Sequence, residues 1–587
     1  MRQHVRKAVE ETLNALKASG ALKLEAMPSF AVDPPKQEAH GDFSVNVAMM
    51  LSKPEGKKPR DLAELIAKSL KSDAVAKVEI AGPGFLNFTL NDAVIQRAAR
   101  EVLQAGDAYG RASAKTGTKV MVEYVSANPT GPIHIGHARG TFVGDAIARL
   151  LDAAGHDVTR EFYINDFGVQ VEKLGRAVHA RYRELFGEKV DVGQYPGAYI
   201  IDIAKALKER DGDKWLKAAE SEWLPACTAF GIEQNLAAIK KTLESAGVKH
   251  DVFTSEASLH QSGAVRAVVD VYRQRDATYE ADEARNRKNT ERNAESKAAQ
   301  FADRQQGGTF LKTGEHGDDE DRVILRKDGT PVYLTADLAY HKSKFDRGFQ
   351  RCIDVFGADH GGHVPRIRAG MRLLGIDDTK MQFVLVQIMR IVRNGEEVKV
   401  SKRKGTLFEL DDLIEEVGAD VCRFTFLMRT ANAQFDFDLD AVTKKSSDNP
   451  VFYFQYGHAR CAAILKKAEE AGTPFSGKPT DEQLSKLTLP EERLLLKRMA
   501  LLPDVVAGAA EALEPHRVLY YCQELIAGFH QYYTKYKGTE RVISDDAVKT
   551  QGRLAMVAAL KQTLKAAFGI LGVAAPDRMD APPEEAE

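Results

Sequence analysis

Hydrophobic positions follow three different patterns along the 587-residue chain. In residues 1–115, an amphipathic helix precedes two strand-like runs that flank Gly82-Pro83-Gly84, a strong turn signal, which predicts an N-terminal α/β unit. After about residue 440 the apolar positions have helical spacing, which predicts a C-terminal helix bundle over 441–587 with a short acidic tail. The helices of this bundle are predicted at 449–470, 491–513, 515–536 and 549–571.

The middle region, residues 116–440, has the order of a parallel α/β sheet. An alternating, strand-like run is followed by a loop rich in turn formers and by a helical pattern that ends at Gly155. This order is typical of the first unit of a parallel sheet. Apolar runs return at 352–357 and 381–392, so the sheet is expected to resume there after an insertion.

The insertion, at roughly residues 170–320, contains a segment of unusual composition. Residues 280–306 are almost wholly polar, which predicts a solvated helix or a mobile segment without a catalytic part. Beyond the insertion, Asp328-Gly329 stands between two alternating runs, which predicts a β-hairpin.

Composition narrows the class of protein only a little. The formal net charge of −2 and the pI of about 6.8 neither support nor exclude RNA binding, because only a local basic patch has to neutralise phosphates. The five cysteines form no CxxC pair, which predicts no structural metal site and no disulfide framework and suits a reducing cytoplasm. The N-terminus lacks a signal-peptide pattern, and we expect no membrane-spanning segment.

Two motifs carry the chemistry. His134-Ile135-Gly136-His137 lies between a predicted strand and a helix, where backbone N–H groups and the helix dipole favour a phosphate chain. Residues 399–405 (KVSKRKG) precede another helix, and their lysines could neutralise a triphosphate as it is cleaved. Each motif alone is equally compatible with a plain turn or a solvated basic loop.

As a pair, the two motifs resemble the HIGH and KMSKS signatures of class I aminoacyl-tRNA synthetases, with Val400 in place of the usual methionine. The flanking stretches resemble one family of that class, the arginyl-tRNA synthetases. Many members of this family lack the second lysine of KMSKS, whereas Lys402 stands here, and segment 280–306 matches nothing in the family pattern. The stretches that carry the resemblance are 40–53, 82–90, 122–140, 333–341, 449–461 and 575–579.

The resemblance implies a Rossmann-like catalytic sheet and a two-step reaction. Arginine would be activated with ATP to arginyl-adenylate and pyrophosphate, and then transferred to the 3′-terminal adenosine of tRNA(Arg). Mg²⁺ is expected to accompany ATP. The N-terminal unit is expected to contact the outer corner of the tRNA and the helix bundle its anticodon. A cytoplasmic monomer whose activation step depends on bound tRNA is also expected.

The resemblance also assigns roles to residues. For ATP it implies that His134 and His137 contact the triphosphate and that Gly136 lies against the adenine. The basic motif would bind the phosphates, and residues 357–360 would lie near the ribose. The ATP-binding residues are therefore expected to be His134, Gly136, His137, Gly357, Asp359, Lys399, Ser401 and Lys402. The main catalytic assignments are His134, His137, Lys399 and Lys402. For arginine it implies Ser126, Asn128, His137, Tyr333, Asp337 and His360. Glu123 is a second carboxylate candidate or a brace for the loop.

Asp337 is the best candidate for the guanidinium, since a planar cation requires a carboxylate partner, and it is expected in the first turn of a helix. Contact with tRNA is predicted for Tyr453, Gln455, Tyr456 and Arg460, which mix aromatic and polar groups, although at helical spacing the aromatics fit a core equally well.

Three competing interpretations were weighed. A small-molecule nucleotidyltransferase with the same H-x-G-H fold would be a short chain without a helix bundle. An inactive paralogue serving as a scaffold would be expected to lose His137, Lys402 or Asp337, and all three are present. The third is another enzyme of class I. Cysteine-type enzymes commonly have zinc-binding cysteines, which are not predicted here, and valine-type enzymes carry an editing domain.

Overall fold

The computed structural model describes residues 1–35, 40–191, 193, 195, 197–282, 307–398, 408–444, 446 and 449–579. The N-terminal elements are α1 (Arg2–Ala18), β1 (Val32–Asp33), β2 (Phe43–Val45), α2 (Val47–Glu55), α3 (Pro59–Ser69), β3 (Val75–Ala81), β4 (Phe85–Leu90) and α4 (Asp92–Ala105). The strands form an antiparallel sheet in the order β1-β2-β4-β3, and α4 packs against helices of the C-terminal region. The predicted strand pair around Gly82-Pro83-Gly84 is confirmed, with Gly82 at φ +53° and Gly84 at φ +148°.

The central sheet is parallel, as predicted. Its elements begin with β5 (Lys119–Glu123), α5 (Ile135–Ala153) and β6 (Asp157–Ile164) and continue, after three helices, with β7 (Val252–Ser255). Two later strands, numbered β11 (Arg351–Gly357) and β12 (Met381–Val386) in chain order, complete the strand order β12-β11-β5-β6-β7. The helix after β5 ends just before Gly155, whose φ of +90° suits glycine and reverses the chain.

The insertion has a core of its own and a small antiparallel sheet. Its helices are α6 (Val169–Glu184), α7 (Ala198–Asp211) and α8 (Glu220–Ser245), packed around Leu174, Tyr182 and Phe230. After β7 come α9 (Glu256–Gln261), α10 (Ala264–Gln274), β8 (Thr278–Ala281), β9 (Gly308–Leu311) and β10 (Arg322–Arg326), which form a sheet in the order β10-β9-β8. Of the polar segment 280–306, residues 283–306 lie outside the described part of the chain.

The predicted hairpin at Asp328-Gly329 is wrong in its second arm. The turn forms, with Gly329 at φ +77°, but only the single bridge between Leu325 and Pro331 follows. The chain then enters α11 (Tyr333–Asp346), because Pro331 cannot donate to a continuing ladder and the next residues pack as a helix. Asp337 consequently lies in the second turn of this helix and not in its first.

The chain crosses to the C-terminal region after β12. The predicted run 381–392 is divided between β12 and β13 (Arg390–Arg393), which belongs to a second small sheet with β14 (Glu396–Glu397) and β15 (Asp436–Asp438). One helix, α12 (Val364–Leu373), lies between β11 and β12. The helices that follow β14 are α13 (Leu410–Val417), α14 (Ala419–Leu427) and α15 (Leu439–Thr443).

The C-terminal region is helical, as predicted. It contains α16 (Pro450–Glu470), α17 (Asp481–Leu484), α18 (Pro490–Met499), α19 (Leu502–Ala512), α20 (His516–Tyr536) and α21 (Ala547–Leu571). The helix predicted at 491–513 is two helices, because Pro503 lacks an N–H and clashes with the carbonyl four residues earlier, so a new helix starts with Pro503 in its first turn. Contrary to the expectation of no spanning segment, α21 is long and apolar enough to cross a membrane by composition alone, but 72% of its apolar window is buried inside the protein.

Candidate active site

The carboxyl ends of the parallel strands surround a cavity of about 500 Å³. Ligands of parallel α/β sheets usually bind at this edge. All the predicted ATP and arginine residues outside the basic motif line this one cavity: Ser126, Asn128, His134, Gly136, His137, Tyr333, Asp337, Gly357, Asp359 and His360. The structure therefore brings together residues that are up to 234 positions apart in sequence (360 − 126), and their individual roles stay predictions.

His134 is the N-cap of α5. Its Nδ1 accepts a hydrogen bond of 3.1 Å from the backbone N–H of Gly136, and its ring lies 4.2 Å from the ring of His137. A Cβ on Gly136 would come within 2.8 Å of the His134 ring, so the capping imidazole itself requires glycine at this position.

The two imidazoles are neutral near pH 7. Burial lowers the pKa of His134, and it lowers the pKa of His137 to about 4, with the neighbouring His134 adding to the effect. Desolvation disfavours the charged form of an imidazole, so each ring offers an N–H donor without a net charge. Positive charge for a triphosphate must therefore come from elsewhere.

The chain that follows the basic motif reaches the start of α5. Lys399, Ser401 and Lys402 lie outside the described residues, which resume at Phe408. The Phe408 carbonyl accepts a hydrogen bond of 3.2 Å from the N–H of Ile135, and the Leu410 N–H donates one of 2.9 Å to the Ile133 carbonyl. The segment that begins at Phe408, three residues after the basic motif, is thus joined by backbone hydrogen bonds to the start of α5.

Asp337 lies deep in the cavity and is 9% exposed. Burial raises the pKa of its carboxyl to about 7, with Glu123 and Asp354 adding to the rise and His341 and Lys344 opposing it. A buried carboxyl of this kind stays half protonated at neutral pH unless a cation comes to it.

Glu256, the first residue of α9, is a second buried carboxylate that the sequence did not single out. It is 5% exposed, and burial raises its pKa to about 7, with Asp337 among the groups that add to the rise. A glutamate in a first helical turn after Ser255, the N-cap, is ordinarily explained by the helix dipole, so nothing in its local sequence marked it for the site. The structure places it beside Tyr163, whose ring lines the cavity.

A buried ion network underlies this part of the site. The Lys344 ammonium donates to Glu123 Oε2 at 2.6 Å and to Asp354 Oδ1 at 2.5 Å, and His341 Nε2 lies 3.2 Å from Asp354 Oδ2. Glu123, His341 and Asp354 have the mutual spacing of metal ligands, but the ammonium already sits between the two carboxylates. Of the two readings for Glu123, the contacts favour the brace, since the Ser126 hydroxyl donates to Glu123 Oε1 at 2.9 Å.

The loop after β5 is held in an unusual conformation by this network. Val125 has φ +70° and Ser126 has φ +39°, and such values cost a non-glycine residue about 1–3 kcal/mol. Ser126 Oγ also accepts a hydrogen bond of 3.1 Å from the Tyr163 N–H, which ties the loop to β6. Backbone strain of this kind persists only where the surroundings fix the conformation, as they do here.

The predicted tRNA residues form a half-buried cluster on α16. Tyr453 stacks on His530 with ring centroids 5.4 Å apart, and the Arg460 guanidinium lies 5.9 Å from the centre of the Tyr456 ring and 3.0 Å from His530 Nδ1. Gln455 donates to the Ala574 carbonyl at 3.3 Å. The cluster is neither fully core nor fully exposed, so both earlier interpretations of these aromatics keep support.

Sequence-family models match almost the entire chain. A class I tRNA synthetase (R) catalytic domain matches residues 99–424, an arginyl tRNA synthetase N-terminal domain matches residues 2–90, and a DALR anticodon-binding domain matches residues 454–579. The fold and the two signatures therefore define a class I aminoacyl-tRNA synthetase.

Curated relatives identify the family within that class. The chain is 45% identical over 570 residues to the arginine–tRNA ligase of Anaeromyxobacter sp. (strain Fw109-5), with 94% of each covered, and 41% identical over 588 residues to that of Magnetococcus marinus, with 99% of this chain and 100% of the relative covered. The chain belongs to the arginine–tRNA ligase family.

Solved structures agree with this assignment. A putative arginyl-tRNA synthetase from Campylobacter jejuni superposes with a TM-score of 0.72 at 29% identity and covers 84% of this chain and 100% of its own. The Thermus thermophilus arginyl-tRNA synthetase has the same fold, with a TM-score of 0.72 at 21% identity and coverage of 99% and 100%.

Proposed function

We propose that this arginine–tRNA ligase binds the guanidinium of arginine between Asp337 and Glu256 and performs both steps of aminoacylation in the cavity described above. The family's reaction uses ATP to form arginyl-adenylate and then transfers arginine to the 3′-terminal adenosine of tRNA. The observation that carries the residue assignment is the pair of buried carboxyls, each with a pKa raised to about 7.

A pair of buried carboxyls suits a guanidinium better than any other ligand of arginine's size. Their raised pKa values show that the protein does not supply enough positive charge there, since the nearby Lys344 ammonium is bound to Glu123 and Asp354. An arriving guanidinium offers five N–H donors in one plane and would be shared by two carboxylates at different edges. Lysine has one compact ammonium, which can contact two carboxylates as Lys344 does here, but it has no planar fork for bidentate pairing with either of them.

The other end of the amino acid is assigned to Ser126, Asn128 and His137, which line the same cavity as Asp337. The arginine carboxylate is itself the nucleophile that attacks the α-phosphate of ATP, so the reaction needs no catalytic base. Catalysis then consists of positioning and of stabilising the charge on the leaving pyrophosphate.

The phosphates are assigned to the start of α5 and to the basic motif. The neutral imidazoles of His134 and His137 donate hydrogen bonds, while Lys399 and Lys402 supply the positive charge that the imidazoles lack. Mg²⁺ is proposed to accompany ATP, and Asp359, whose side chain is 63% exposed at the cavity, fits a carboxylate that holds it through water.

The assignments beyond the cavity follow the family pattern. We propose three domains, at 1–115, 116–440 and 441–587, with tRNA held by the first and the last. The Tyr456 and Arg460 pair, with Tyr453 and Gln455 beside it, supplies aromatic and cationic groups suited to unpaired anticodon bases. A cytoplasmic monomer that needs bound tRNA for activation completes the proposal.

The experiment that tests the proposal is ATP–pyrophosphate exchange with each of the twenty amino acids, with and without tRNA. Exchange with arginine alone, and only when tRNA is present, is the expected result. Exchange with arginine in the absence of tRNA would remove the tRNA requirement from the proposal. A D337N variant that kept the wild-type KM for arginine would remove the carboxyl pair as the guanidinium site.

A further inference from the structure

An exposed aromatic ring stands at the rim of the reaction cavity. Phe167 lies in the loop between β6 and α6 and is 47% exposed, with one face stacked on the ring of His260 at a centroid distance of 3.8 Å and an interplanar angle of 16°. Its chain neighbours Asn165 and Gln170 both line the cavity. The loop thus directs polar side chains into the cavity and presents the phenyl ring beside its mouth.

Hydrogen bonds of Asp166 and Gln170 fix the loop that carries Phe167. Asp166 accepts hydrogen bonds from the Ser255 hydroxyl at 2.7 Å and from the Ala257 N–H at 2.8 Å, which fixes the loop to the start of α9. Gln170 accepts a hydrogen bond of 3.2 Å from Asn128 across the cavity wall. Phe167 is therefore a rigid surface with one supported face, which differs from a scattered exposed side chain that needs no explanation.

The topology leaves this side of the cavity for the second substrate. The first ATP signature and residues 357–360 lie over β5 and β11, because α5 begins after β5 and residues 357–360 follow β11. Arginine is assigned to the buried floor at Asp337. Phe167 and His260 lie on the side of β6 and β7, where no ATP residue is assigned. Glu256, the proposed guanidinium partner on this side, lies 3.8 Å from His260 Nε2 and is only 5% exposed, so the exposed face of Phe167 is assigned to neither small substrate.

The second step of the family's reaction requires the terminal ribose of tRNA to reach the arginyl carbonyl inside the cavity. The bases attached to that end are unpaired, and unpaired bases bind proteins largely by stacking on aromatic faces. We propose that the free face of Phe167 is a stacking platform for an unpaired base at the 3′ end of the tRNA. This inference rests on the aminoacylation function and adds a substrate-positioning residue to it.

The test compares intact tRNA(Arg) with the same RNA lacking its 3′-terminal CCA, with arginine and a non-hydrolysable ATP analogue present. Dissociation constants are measured for the wild type, F167A, F167W and V169A. Val169 is the matched control, because it lies two residues away on the same rim and is 66% exposed but has no ring.

The expected result is that F167A weakens binding of intact tRNA by roughly 5- to 150-fold, the effect of losing one base–aromatic stack, and leaves binding of the shortened RNA unchanged. F167W and V169A should bind both RNAs as the wild type does. The shortened RNA also reports whether F167A is folded, since it binds through the other surfaces.

Three results would overturn the platform: an equal loss for both RNAs, no loss for intact tRNA, or the same loss in V169A. Charging of intact tRNA by the wild type tests the enzymatic function separately. Failure of that charging would overturn the function, whereas a failed F167A comparison in an active enzyme would overturn the platform alone.

Discussion

With Asp337 as the proposed partner of the guanidinium, its raised pKa should make the affinity for arginine depend on pH in the physiological range. The ordinary pKa of this carboxyl is 3.8, and burial raises it to about 7 in the protein without ligand. Only the ionised form pairs with the guanidinium. Acidification should therefore weaken arginine binding at a pH where free aspartate is still fully charged.

The size of the effect follows from the ionised fraction. A carboxyl with a pKa of about 7 is roughly 90% ionised at pH 8 and roughly 10% ionised at pH 6. KM for arginine should therefore be about tenfold higher at pH 6 than at pH 8. If Glu256, with a pKa also raised to about 7, must be ionised as well, the limit is about 100-fold. His363, 3.9 Å from Asp337, has a pKa lowered to about 4 by burial and stays neutral over this range.

Two charged groups near Asp337, Lys344 and Asp354, do not titrate over the same range. Burial would by itself lower the pKa of Lys344, but Asp354 and Glu123 hold it above its ordinary value. Burial likewise opposes ionisation of Asp354, while Lys344 and His341 hold its pKa below its ordinary value. Lys344 and Asp354 therefore do not contribute to the change expected between pH 6 and pH 8, which the proposal places at the carboxyl pair.

The assay is steady-state aminoacylation at saturating ATP and tRNA from pH 6 to pH 8, with KM for ATP measured as the control. D337N should raise KM for arginine at least about 100-fold at pH 8, because a buried charge-assisted pair is lost, and should reduce the slope of the remaining profile. A KM for arginine that is constant with pH, or that rises with pH, would refute the reasoning.

The same pKa affects stability with a defined sign. Between pH 3.8 and about 7 the unfolded Asp337 loses its proton while the folded one keeps it, so the free energy of unfolding falls as pH rises, by roughly 4 kcal/mol over the window. Arginine should offset this loss, and its stabilising effect on thermal unfolding should be larger at pH 8 than at pH 6.

Three further predictions concern other parts of the enzyme. K344M should lower the free energy of unfolding by about 3–5 kcal/mol, because it leaves two buried carboxylates unpaired, whereas K342M on the solvent side of the same helix should cost less than about 1 kcal/mol in chemical denaturation. R460A should raise KM for tRNA and leave KM for arginine unchanged; an unchanged KM for tRNA would make the α16 cluster purely structural. K402A should lower kcat about 100-fold or more in single-turnover activation, with R403A as the control, and equal effects of the two would deny Lys402 a specific role.

The order of elements was predictable wherever the apolar period was clear. The parallel strands β5, β11 and β12 were predicted from their short hydrophobic runs, which are typical of strands buried in a parallel sheet. The helix break before α19 was not predicted, because the apolar spacing continues across it and only Pro503 marks it. The second arm of the hairpin was predicted but does not form. Residues 331–335 alternate like a strand, but tertiary packing starts α11 at Tyr333.

The candidate site, like the fold, was predictable from the sequence only in part. Motif resemblance singled out Asp337 and the two histidines, because their positions are tied to sequence signatures. Their protonation was not predictable, since it depends on burial that only the fold creates. Glu256 was missed because its role arises from the approach of α9 to α11, which no local pattern records.

The protonation of the empty site also bears on amino-acid selection. Near neutral pH the carboxyls of Asp337 and Glu256 are partly protonated, so the protein does not hold two unpaired charges in its interior. In the proposed site arginine would provide the cation that permits both to ionise, and the release of their protons lowers the observed affinity as the pH falls. A neutral isostere such as citrulline would leave the carboxyls protonated or unpaired. The ammonium of lysine can contact two carboxylates, as Lys344 does, but it cannot pair with either through two parallel N–H donors. Selection against both follows from the unpaired groups that remain, because a site built for hydrogen bonds rejects a ligand that cannot complete them. On the proposed assignment, the raised pKa and the specificity for arginine are two consequences of one buried pair.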